Sequence, residues 1–428
     1  MKLFNWSGLD AAGRREALAR PVQRRDPRVT QVVSRIFAEV AAEGAAAVSR
    51  WALTLDGHAP RTFEVDAAAL ARARSVVAAA DLEALEFAAD NVRRYHQAIR
   101  PVETAFSPAP GVVCRRVWRA IPTCGLYAPG GTAPLFSTLL MLAIPARVAG
   151  VAQATAVTPP ARDGSIHPMM ILAAKAAGLD AIEAVGGAQA IAALTFGAGL
   201  PKACKIFGPG NAYVAEAKRL AADTPGGPAI DMPAGPSELM VIADHSADPE
   251  IVAADLLSQA EHDADAQVLL VATAAGVIEA VLAAVERQVC DLPRVKLARQ
   301  SLAEGRAILV RSAEEACEVA NAYAPEHLSL QVASPGALID AIVAAGAVFI
   351  GRWTAETLGD YVVGPSHVLP TDGAATAFSG ISVASFMTSL AVQEVGPESA
   401  GRFARCAARL ARLEGLEAHA RAADLRTG

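Results

Sequence analysis

Residues 205–221 read KIFGPGNAYVAEAKRLA and pass from a short apolar run through a glycine turn into a helix. The run at 205–207 has strand character, the turn is GPGN at 208–211, and the helical pattern begins near Tyr213. A strand that leads through a glycine turn into a helix is the beginning of a βαβ unit. This segment therefore predicts an α/β fold built on a parallel sheet.

The same alternation continues on both sides of this segment. Before it, strand-like runs lie at 125–127, 154–158 and 181–185, and helical segments lie at 139–148, 167–177 and 188–195. After Pro236 the order resumes with strand-like runs at 239–243, 268–272, 307–310 and 348–351, and with helical segments at 249–262 and 277–289. Two Rossmann-like parallel-sheet domains are therefore expected.

The chain is divided accordingly. Residues 1–24 are read as an N-terminal extension. Residues 25–120 and 237–380 are expected to form a first, discontinuous α/β domain with the catalytic and metal motifs, and residues 121–236 a second α/β domain with the cofactor loops. In 381–428, apolar residues recur at helical spacing until Gly415 interrupts them, which predicts a C-terminal helical hairpin.

Composition limits the class of protein. The 428 residues are 53% hydrophobic with a net charge of -6, which fits a globular enzyme of two or three compact units and excludes general disorder. The basic residues form no stripe, so nucleic acid is not an expected partner. The six cysteines show no C-x-x-C spacing, and no apolar run approaches the roughly 20 residues of a membrane span. A cytoplasmic protein is expected.

Three glycine loops follow predicted strands and precede predicted helices. They are GPGN at 208–211, YAPGGTAP at 127–134 and GGAQ at 186–189. Backbone N–H groups at a helix start bind anions such as phosphate, so the three loops favour a nucleotide or substrate cleft. The first loop has Tyr213 where a dinucleotide fingerprint has its third glycine, and a plain tight turn explains it equally well.

An acid and an imidazole stand side by side in YAPEHL, residues 323–328. Because Ala324 precedes Pro325, Glu326 and His327 are expected to begin a turn or a helix. Adjacent carboxylate and imidazole groups indicate acid–base chemistry. The alternative is a capped helix start on the surface.

A metal site is indicated near the end of the helix at 249–262. Gln259 and His262 stand at i and i+3, which places them on one helix face, while Asp360 and His419 are candidate ligands far away in sequence. The alternative is that a single histidine near a helix end only complements the helix dipole. Glutamine is also absent from the ordinary zinc ligands.

Six segments together resemble the histidinol dehydrogenase family, and the likeness runs from about Val22 to Arg426. The segments lie at 208–218, 231–238, 256–262, 323–328, 364–371 and 414–419. The resemblance implies the fold of the histidinol and aldehyde dehydrogenases and a homodimer that uses its C-terminal tail for dimerisation. It also implies one zinc ion per subunit and NAD, used twice to oxidise L-histidinol through L-histidinal to L-histidine in the last steps of histidine biosynthesis.

The resemblance also implies roles for particular residues. As zinc ligands it implies Gln259, His262, Asp360 and, from the other subunit, His419. Glu326 and His327 take the family's acid–base positions, with His327 suited to the alcohol proton and Glu326 to activating water. The implied substrate-binding residues are Ser237, Gln259, His262, His327, Glu356, Asp360, His367, Glu414 and His419. The implied cofactor-binding residues are Tyr127, Gln189 and Asn211.

Two departures from the family pattern bear on the substrate. Ser366 stands where many relatives have asparagine, and residues 385–389 lack a Lys-Arg pair. A paralogue that oxidises another small alcohol, such as a sulfonated diol, is therefore one alternative. The retained Glu356, His367 and Glu414 favour a cationic amino alcohol instead. From other classes, a metal-dependent hydrolase and a catalytically silent scaffold remain as alternatives.

Overall fold

The computed structural model describes residues 1–21, 26–130, 134–232 and 235–427. Val22 and parts of the motifs at 127–134 and 231–238 lie outside these ranges. The helices are α1 (Ala11–Ala17), α2 (Pro27–Glu43), α3 (Ala45–Leu55), α4 (Ala67–Val76), α5 (Ala79–Ala98), α6 (Phe136–Ala149), α7 (Pro168–Ala177), α8 (Gly187–Phe196), α9 (Ala212–Asp223), α10 (Pro249–Ala260), α11 (Ala275–Gln288), α12 (Val295–Glu304), α13 (Ala313–Tyr323), α14 (Pro335–Ala341), α15 (Glu356–Tyr361), α16 (Pro397–Leu413) and α17 (Glu417–Asp424). Short 3-10 helices lie at Trp6–Gly8, Val289–Asp291, Ala374–Thr376 and Val383–Phe386.

The strands form three sheets. They are β1 (Lys2–Asn5), β2 (Arg61–Glu64), β3 (Thr104–Ala109), β4 (Val112–Ala120), β5 (Thr123–Tyr127), β6 (Gln153–Thr158), β7 (Ala181–Ala184), β8 (Lys205–Phe207), β9 (Ala229–Ile230), β10 (Glu238–Ala243), β11 (Gln267–Ala272), β12 (Arg306–Leu309), β13 (His327–Gln331), β14 (Ala347–Ile350) and β15 (Met387–Val395).

The first sheet is parallel throughout, in the order β1-β12-β11-β10-β13-β14. Its central strands are apolar because helices cover both faces. Along β10, Leu239 and Val241 pack under α10, α11 and α12, whereas Met240 and Ile242 pack against α1 and α13 on the other face. The motif at 323–328 leads into this sheet as β13.

The second sheet has the order β2-β7-β6-β5-β8-β9, with only the edge strand β2 antiparallel. One face buries α4 to α7, and the other buries α2, α3, α8 and α9. A third, antiparallel sheet, β15-β4-β3, lies beside the C-terminal helices. The predicted α/β class with two parallel sheets is thereby confirmed.

Two details of the expected organisation differ from the structure. The segment 25–120 was grouped with 237–380, but β2 pairs with β7 and α2 packs on α8 and α9, so these elements cover the second sheet. Residues 1–24 were expected to be an extension, yet β1 pairs with β12 and closes one edge of the first sheet. An apolar pattern shows neither which sheet a helix covers nor which strand a short terminal strand pairs with, and this explains both differences.

The C-terminal tail also differs from a purely helical reading. It contains β15, nine residues long, which pairs with β4 along its whole length before the chain turns into α16. The predicted hairpin of two helices then follows, and α16 and α17 are joined at Gly415, whose φ of 77° suits glycine. No helix in the described ranges is long and apolar enough to cross a membrane.

A buried histidine in α5 gives a prediction about acid stability. His96 is fully buried, neither ring nitrogen has a hydrogen-bond partner among the described residues, and burial lowers its pKa to about 4. Below about pH 6.5 the unfolded chain binds a proton that the folded chain rejects, so stability falls as pH falls toward 4. Between pH 8 and pH 5 this residue should cost about 2 kcal/mol of unfolding free energy.

Urea unfolding of the parent and of His96→Phe at both pH values measures this effect. The phenylalanine variant should lose less stability on acidification by that amount. An equal loss in both proteins would show that His96 does not contribute.

Candidate active site

The acid–base motif begins a buried strand, not a helix. Helix α13 ends at Tyr323, Ala324 takes a left-handed conformation with φ 51°, and β13 starts at His327. The parallel ladder already includes Glu326, because its carbonyl accepts the N–H of Ala347 at 2.9 Å. Glu326 and His327 are 5% and 4% exposed, so the predicted turn or helix start and the surface alternative were both wrong.

The main chain of a single residue, Glu238, bonds to both side chains of the Glu326–His327 pair. The N–H of Glu238, at the start of β10, donates to Oε2 of Glu326 at 2.9 Å. Its carbonyl oxygen lies 3.1 Å from Nδ1 of His327. Because a carbonyl only accepts, Nδ1 must carry the hydrogen, which leaves Nε2 of a neutral imidazole as the proton-accepting atom.

Three carboxylates surround the His327 imidazole. Its Nδ1 lies 3.5 Å from Glu326 and 3.4 Å from Glu356, and its Nε2 lies 3.6 Å from Oδ1 of Asp360. Burial would lower the pKa of the imidazole, but the carboxylates outweigh burial and raise it to about 10. Burial likewise raises the pKa of Glu326 to about 7 and that of Glu356 to about 8.

Asp360 contacts that cluster, while the other two predicted metal ligands of this chain, Gln259 and His262, lie in the last turn of α10 and in the turn that follows it. Gln259 is buried in the last turn of α10, and its Oε1 has no hydrogen-bond partner among the described residues. His262 follows in an exposed turn and acts electrostatically on His367, whose ring is bonded to the main chain of Asp360. Within the described ranges no three His, Cys, Asp or Glu side chains form a metal cluster. The predicted set supplies only two such residues, His262 and Asp360, from one chain.

Glu414 and His419 lie elsewhere in the subunit. Both are exposed, at the end of α16 and in α17. Across the part of the chain that the structure describes, no hydrogen bond or ion pair joins either residue to Glu326, His327 or Asp360. Hydrogen bonds and close charge pairs thus join Glu326, His327, Glu356, Asp360 and His367, and neither Glu414 nor His419 belongs to this group.

His367 and Ser237 occupy supporting positions. Nδ1 of His367 donates to the carbonyl of Asp360 at 2.8 Å, so Nε2 accepts from the Thr138 hydroxyl at 3.1 Å, and burial lowers the pKa of this ring. Thr138 belongs to α6, which ties the second sheet's unit to the acidic cluster. Ser237 immediately precedes Glu238, and its carbonyl accepts from Gln267. The predicted contact of His367 with substrate requires Nε2 to exchange Thr138 for that ligand.

Sequence reasoning missed Asp255. It lies one helical turn before Gln259 on α10, it is 6% exposed, and its Oδ2 has no hydrogen-bond partner among the described residues. Burial raises its pKa to about 6, and its charge acts on Glu356. The available signal was a carboxylate at i−4 from Gln259 within an otherwise apolar helix face.

The three predicted cofactor residues line one cleft at the carboxyl edge of the second sheet. Its volume is about 560 Å³, and Tyr127, Gln189 and Asn211 contribute to its wall together with Trp51 and Asp56. Oε1 of Gln189 is buried without a hydrogen-bond partner among the described residues, whereas its Nε2 donates to Asp56 at 2.9 Å. Gln189 thus contributes to the cleft wall and has a buried acceptor oxygen without a partner among the described residues.

The start of α9 beside this cleft is capped by a side chain, so its first N–H groups are not free to bind an anion. The Asn211 side chain accepts from the N–H groups of Tyr213 and Val214 in α9. At α8, Asp56 accepts from the N–H of Gly186 at 3.3 Å, and the Tyr127 hydroxyl bonds to the N–H of Gly187. Gly210 and Asn211, at the end of the turn at 208–211, line this cleft.

A buried ion pair fixes that turn. Lys218 and Asp231 are in direct contact, Lys218 donates to the Gly208 carbonyl at 2.8 Å, and Asp231 accepts from the Gly208 N–H at 2.8 Å. Gly208 is required because a Cβ atom there would lie 2.0 Å from the Tyr127 carbonyl oxygen. The turn and the end of β5 thus approach each other closely at the wall of the cleft.

Lys218→Met should therefore destabilise the protein and loosen the cleft. The substitution leaves Asp231 buried without its cation, which costs about 3–5 kcal/mol. Urea unfolding should show that loss, and the apparent affinity for the cofactor should fall. Lys175→Met, a change near the end of α7, is the matched control and should behave as the parent. Unchanged unfolding in Lys218→Met would show that the pair does not fix the turn.

Known proteins resemble this chain over nearly its whole length. The family model described as histidinol dehydrogenase matches residues 18–427. A histidinol dehydrogenase of Xanthomonas euvesicatoria is 47% identical over 100% of this chain and 99% of its own length. One from Xylella fastidiosa is 46% identical with the same coverage. A crystal structure of histidinol dehydrogenase from Elizabethkingia anophelis superposes with a TM-score of 0.95 at 39% identity, covering 100% of this chain and 98% of that one.

Proposed function

This chain belongs to the histidinol dehydrogenase family, and we propose that it oxidises L-histidinol through L-histidinal to L-histidine, the last steps of histidine biosynthesis, in the cytoplasm. It is an enzyme that acts on a small molecule, a dehydrogenase. In this proposal the substrate is L-histidinol, the oxidant is NAD, and each subunit binds one zinc ion. The observation that carries it is the buried Glu326–His327 pair, held by the main chain of one residue, Glu238.

The two members of the pair suit two different proton transfers. His327 keeps a hydrogen on Nδ1, so Nε2 is the atom that can take the proton of the substrate alcohol when the imidazole is in its neutral form, which its raised pKa makes the minor form at pH 7. Glu326 uses Oε2 for the Glu238 N–H, and its other oxygen is available to remove a proton from water that attacks the aldehyde. Burial raises the pKa of Glu326 to about 7, which places this carboxylate in the range of an efficient general base at neutral pH.

The donor set fits zinc in the proposed role. Gln259 has a buried Oε1 without a partner among the described residues, and Asp360 and His262 add an oxygen and a nitrogen donor. These three residues would hold the ion together with His419 of a second subunit. When bound, zinc supplies a Lewis acid that anchors the amine and imidazole of the substrate.

The cleft of the second sheet fits the dinucleotide. Tyr127, Gln189 and Asn211 line a volume of about 560 Å³, and the buried Oε1 of Gln189 can accept a hydrogen bond there. When bound, NAD accepts the hydride in each oxidation. Because the Asn211 side chain caps the start of α9, side chains and loop atoms rather than the N–H groups of that helix end would contact the cofactor on this side.

The charge of the acidic cluster favours a cationic substrate. Glu326, Glu356, Asp360 and Asp255 all lie within the electrostatic reach of one another or of His327. A sulfonated diol would bring its negative charge against the carboxylates of this cluster that are ionised, whereas the cationic groups of histidinol would be attracted to them; Glu356, with a pKa of about 8, contributes little charge at pH 7. The cluster thus supports histidinol over the anionic alternative.

Exposed apolar residues of the tail support a homodimer. On α16, Phe403, Leu410 and Leu413 are exposed, and Leu390 on β15 is exposed as well. A set of exposed large apolar side chains beside two predicted site residues, Glu414 and His419, fits a subunit interface that also completes the site.

A substrate panel tests the proposed function. NADH formation is followed with NAD and histidinol, histidinal, other amino alcohols or a sulfonated diol, before and after dialysis against a chelator. We expect histidinol and histidinal to react well, the anionic diol to react poorly, and zinc to restore the chelated enzyme. Turnover of the diol but not of histidinol, or hydrolysis without NAD, would replace the proposal.

A further inference from the structure

We infer that Arg20 is a positioning residue for the Glu326–His327 pair and acts through Glu238. Arg20 lies after α1, in the N-terminal segment that the sequence left without a role. The inference deepens the proposed function and rests on it for the identity of the reaction. Its structural basis is a chain of contacts that connects the N-terminal segment to both acid–base groups.

The first part of the chain is a bidentate ion pair. Nε of Arg20 lies 2.5 Å from Oε1 of Glu238, and an Arg20 terminal nitrogen lies 2.9 Å from Oε2. The Glu238 side chain is 1% exposed and that of Arg20 is 18% exposed, so the pair is largely shielded from water. Paired N–H···O bonds fix the direction as well as the distance of a carboxylate.

The same guanidinium also holds the turn that precedes the acid–base pair. It donates to the carbonyl of Tyr323 at 2.7 Å, and its carbon lies 3.7 Å from the centroid of the Tyr323 ring. Ala324, the next residue, has φ 51°, a conformation that is unfavourable for a residue with a side chain. Arg20 thus stabilises the strained turn from which Glu326 and His327 emerge.

The Arg20 guanidinium therefore contacts both the first residue of β10 and the residue that ends α13 just before β13. Glu238 begins β10 and bonds through its main chain to Glu326 and His327, while Tyr323 ends α13 just before them. Asp372 reinforces the arrangement, since its N–H donates to Oε1 of Glu238 at 3.2 Å. A shift of Glu238 would move the hydrogen bonds of both acid–base groups together.

Loss of the guanidinium should consequently lower kcat more than it raises KM. A displacement of about 1 Å in a positioned group costs about 100-fold in rate. Arg20→Ala should lower kcat with histidinol by about that factor, with KM changed only a few-fold. Arg20→Lys retains the charge without the fork or the stacking, so it should recover only part of the rate. Methylguanidine added to Arg20→Ala should restore activity in a saturable manner.

Two further variants distinguish a loss of stability from a loss of positioning of the acid–base pair. Val281→Ala, in α11 on the opposite face of the first sheet, removes buried volume far from Arg20 and should leave kcat per folded enzyme unchanged. Arg20→Met with Glu238→Gln removes both charges, so it avoids an unpaired buried carboxylate and should fold while remaining slow. If this double variant keeps the parent kcat, or if methylguanidine restores nothing to Arg20→Ala, the inference is wrong.

Hydrogen exchange provides a readout that does not depend on the reaction. In Arg20→Ala, amides of the peptides that contain Glu238 and His327 should exchange faster, while those of β11 should not change. If the parent enzyme fails to oxidise histidinol, the proposed function is wrong, and the hydrogen-exchange result then tests the positioning role of Arg20 by itself. Unchanged exchange at both peptides contradicts the positioning role of Arg20 even if the parent enzyme is active.

Discussion

Glu326→Gln should slow the oxidation of supplied histidinal by about 100- to 10,000-fold while the first hydride transfer from histidinol changes far less. Glutamine retains an oxygen that can accept the Glu238 N–H, which bonds to Glu326 at 2.9 Å, so the geometry should persist. The amide cannot accept a proton from water at neutral pH. Only the step that needs activated water should therefore suffer, and single-turnover kinetics with each substrate resolve the two steps.

His327→Asn is the matched variant for the other step. Asparagine can donate to the Glu238 carbonyl as His327 does at 3.1 Å, but it has no proton-accepting nitrogen. Oxidation of histidinol should fall strongly in the alcohol step. If Glu326→Gln turns over histidinal within a few-fold of the parent, Glu326 has no part in water activation and the pair has a structural role at the start of β13.

Mixed dimers should recover activity that neither parent mutant has. His419→Ala and His262→Ala homodimers are each expected to lose zinc and nearly all activity, because each lacks one ligand at both sites. A dimer that contains one chain of each kind should have one intact site if His419 reaches across the interface. The exposed position of His419, apart from Asp360 and His327 in its own subunit, is the reason for this expectation.

The experiment requires chains that have been unfolded together and refolded as a mixture. Zinc content and NADH formation should rise to roughly one quarter of the parent value, since about half of the dimers are mixed and each mixed dimer has one site. As a control, tagged and untagged parent chains are treated in the same way, and co-purification of the untagged chain shows that subunits exchange. A mixture of the two mutants that stays without zinc would show that the site is not shared.

Much of the fold follows from local patterns in the sequence. The apolar runs at 239–243 and 268–272 correspond to β10 and β11, because fully buried parallel strands are continuous apolar segments. The strand at 327–331 was missed, since its residues HLSLQ mix polar and apolar side chains even though all of them are buried. His327 belongs to the site, and Gln331 donates to Ser329 within the buried strand, so the apolar pattern that identifies other strands is weakened at this position.

The candidate site was predictable in its residue types but not in its connections. The motifs identified Glu326, His327 and Gln259, and the structure buries all three. The roles of Glu238 and Arg20 depend on main-chain bonds and on a contact across 218 residues, which no spacing rule describes. Asp56 is similar, because its contact with Gln189 joins residues 133 positions apart.

The central claim is that one site carries out both oxidations, and the yield of a complete reaction tests it most directly. Zinc-loaded enzyme is incubated with limiting histidinol and excess NAD, and NADH, histidinal and histidine are measured at the end. We predict two NADH for each histidine formed and no free histidinal at any time. One NADH per histidinol with histidinal accumulating, or no NADH at all, would contradict the assignment.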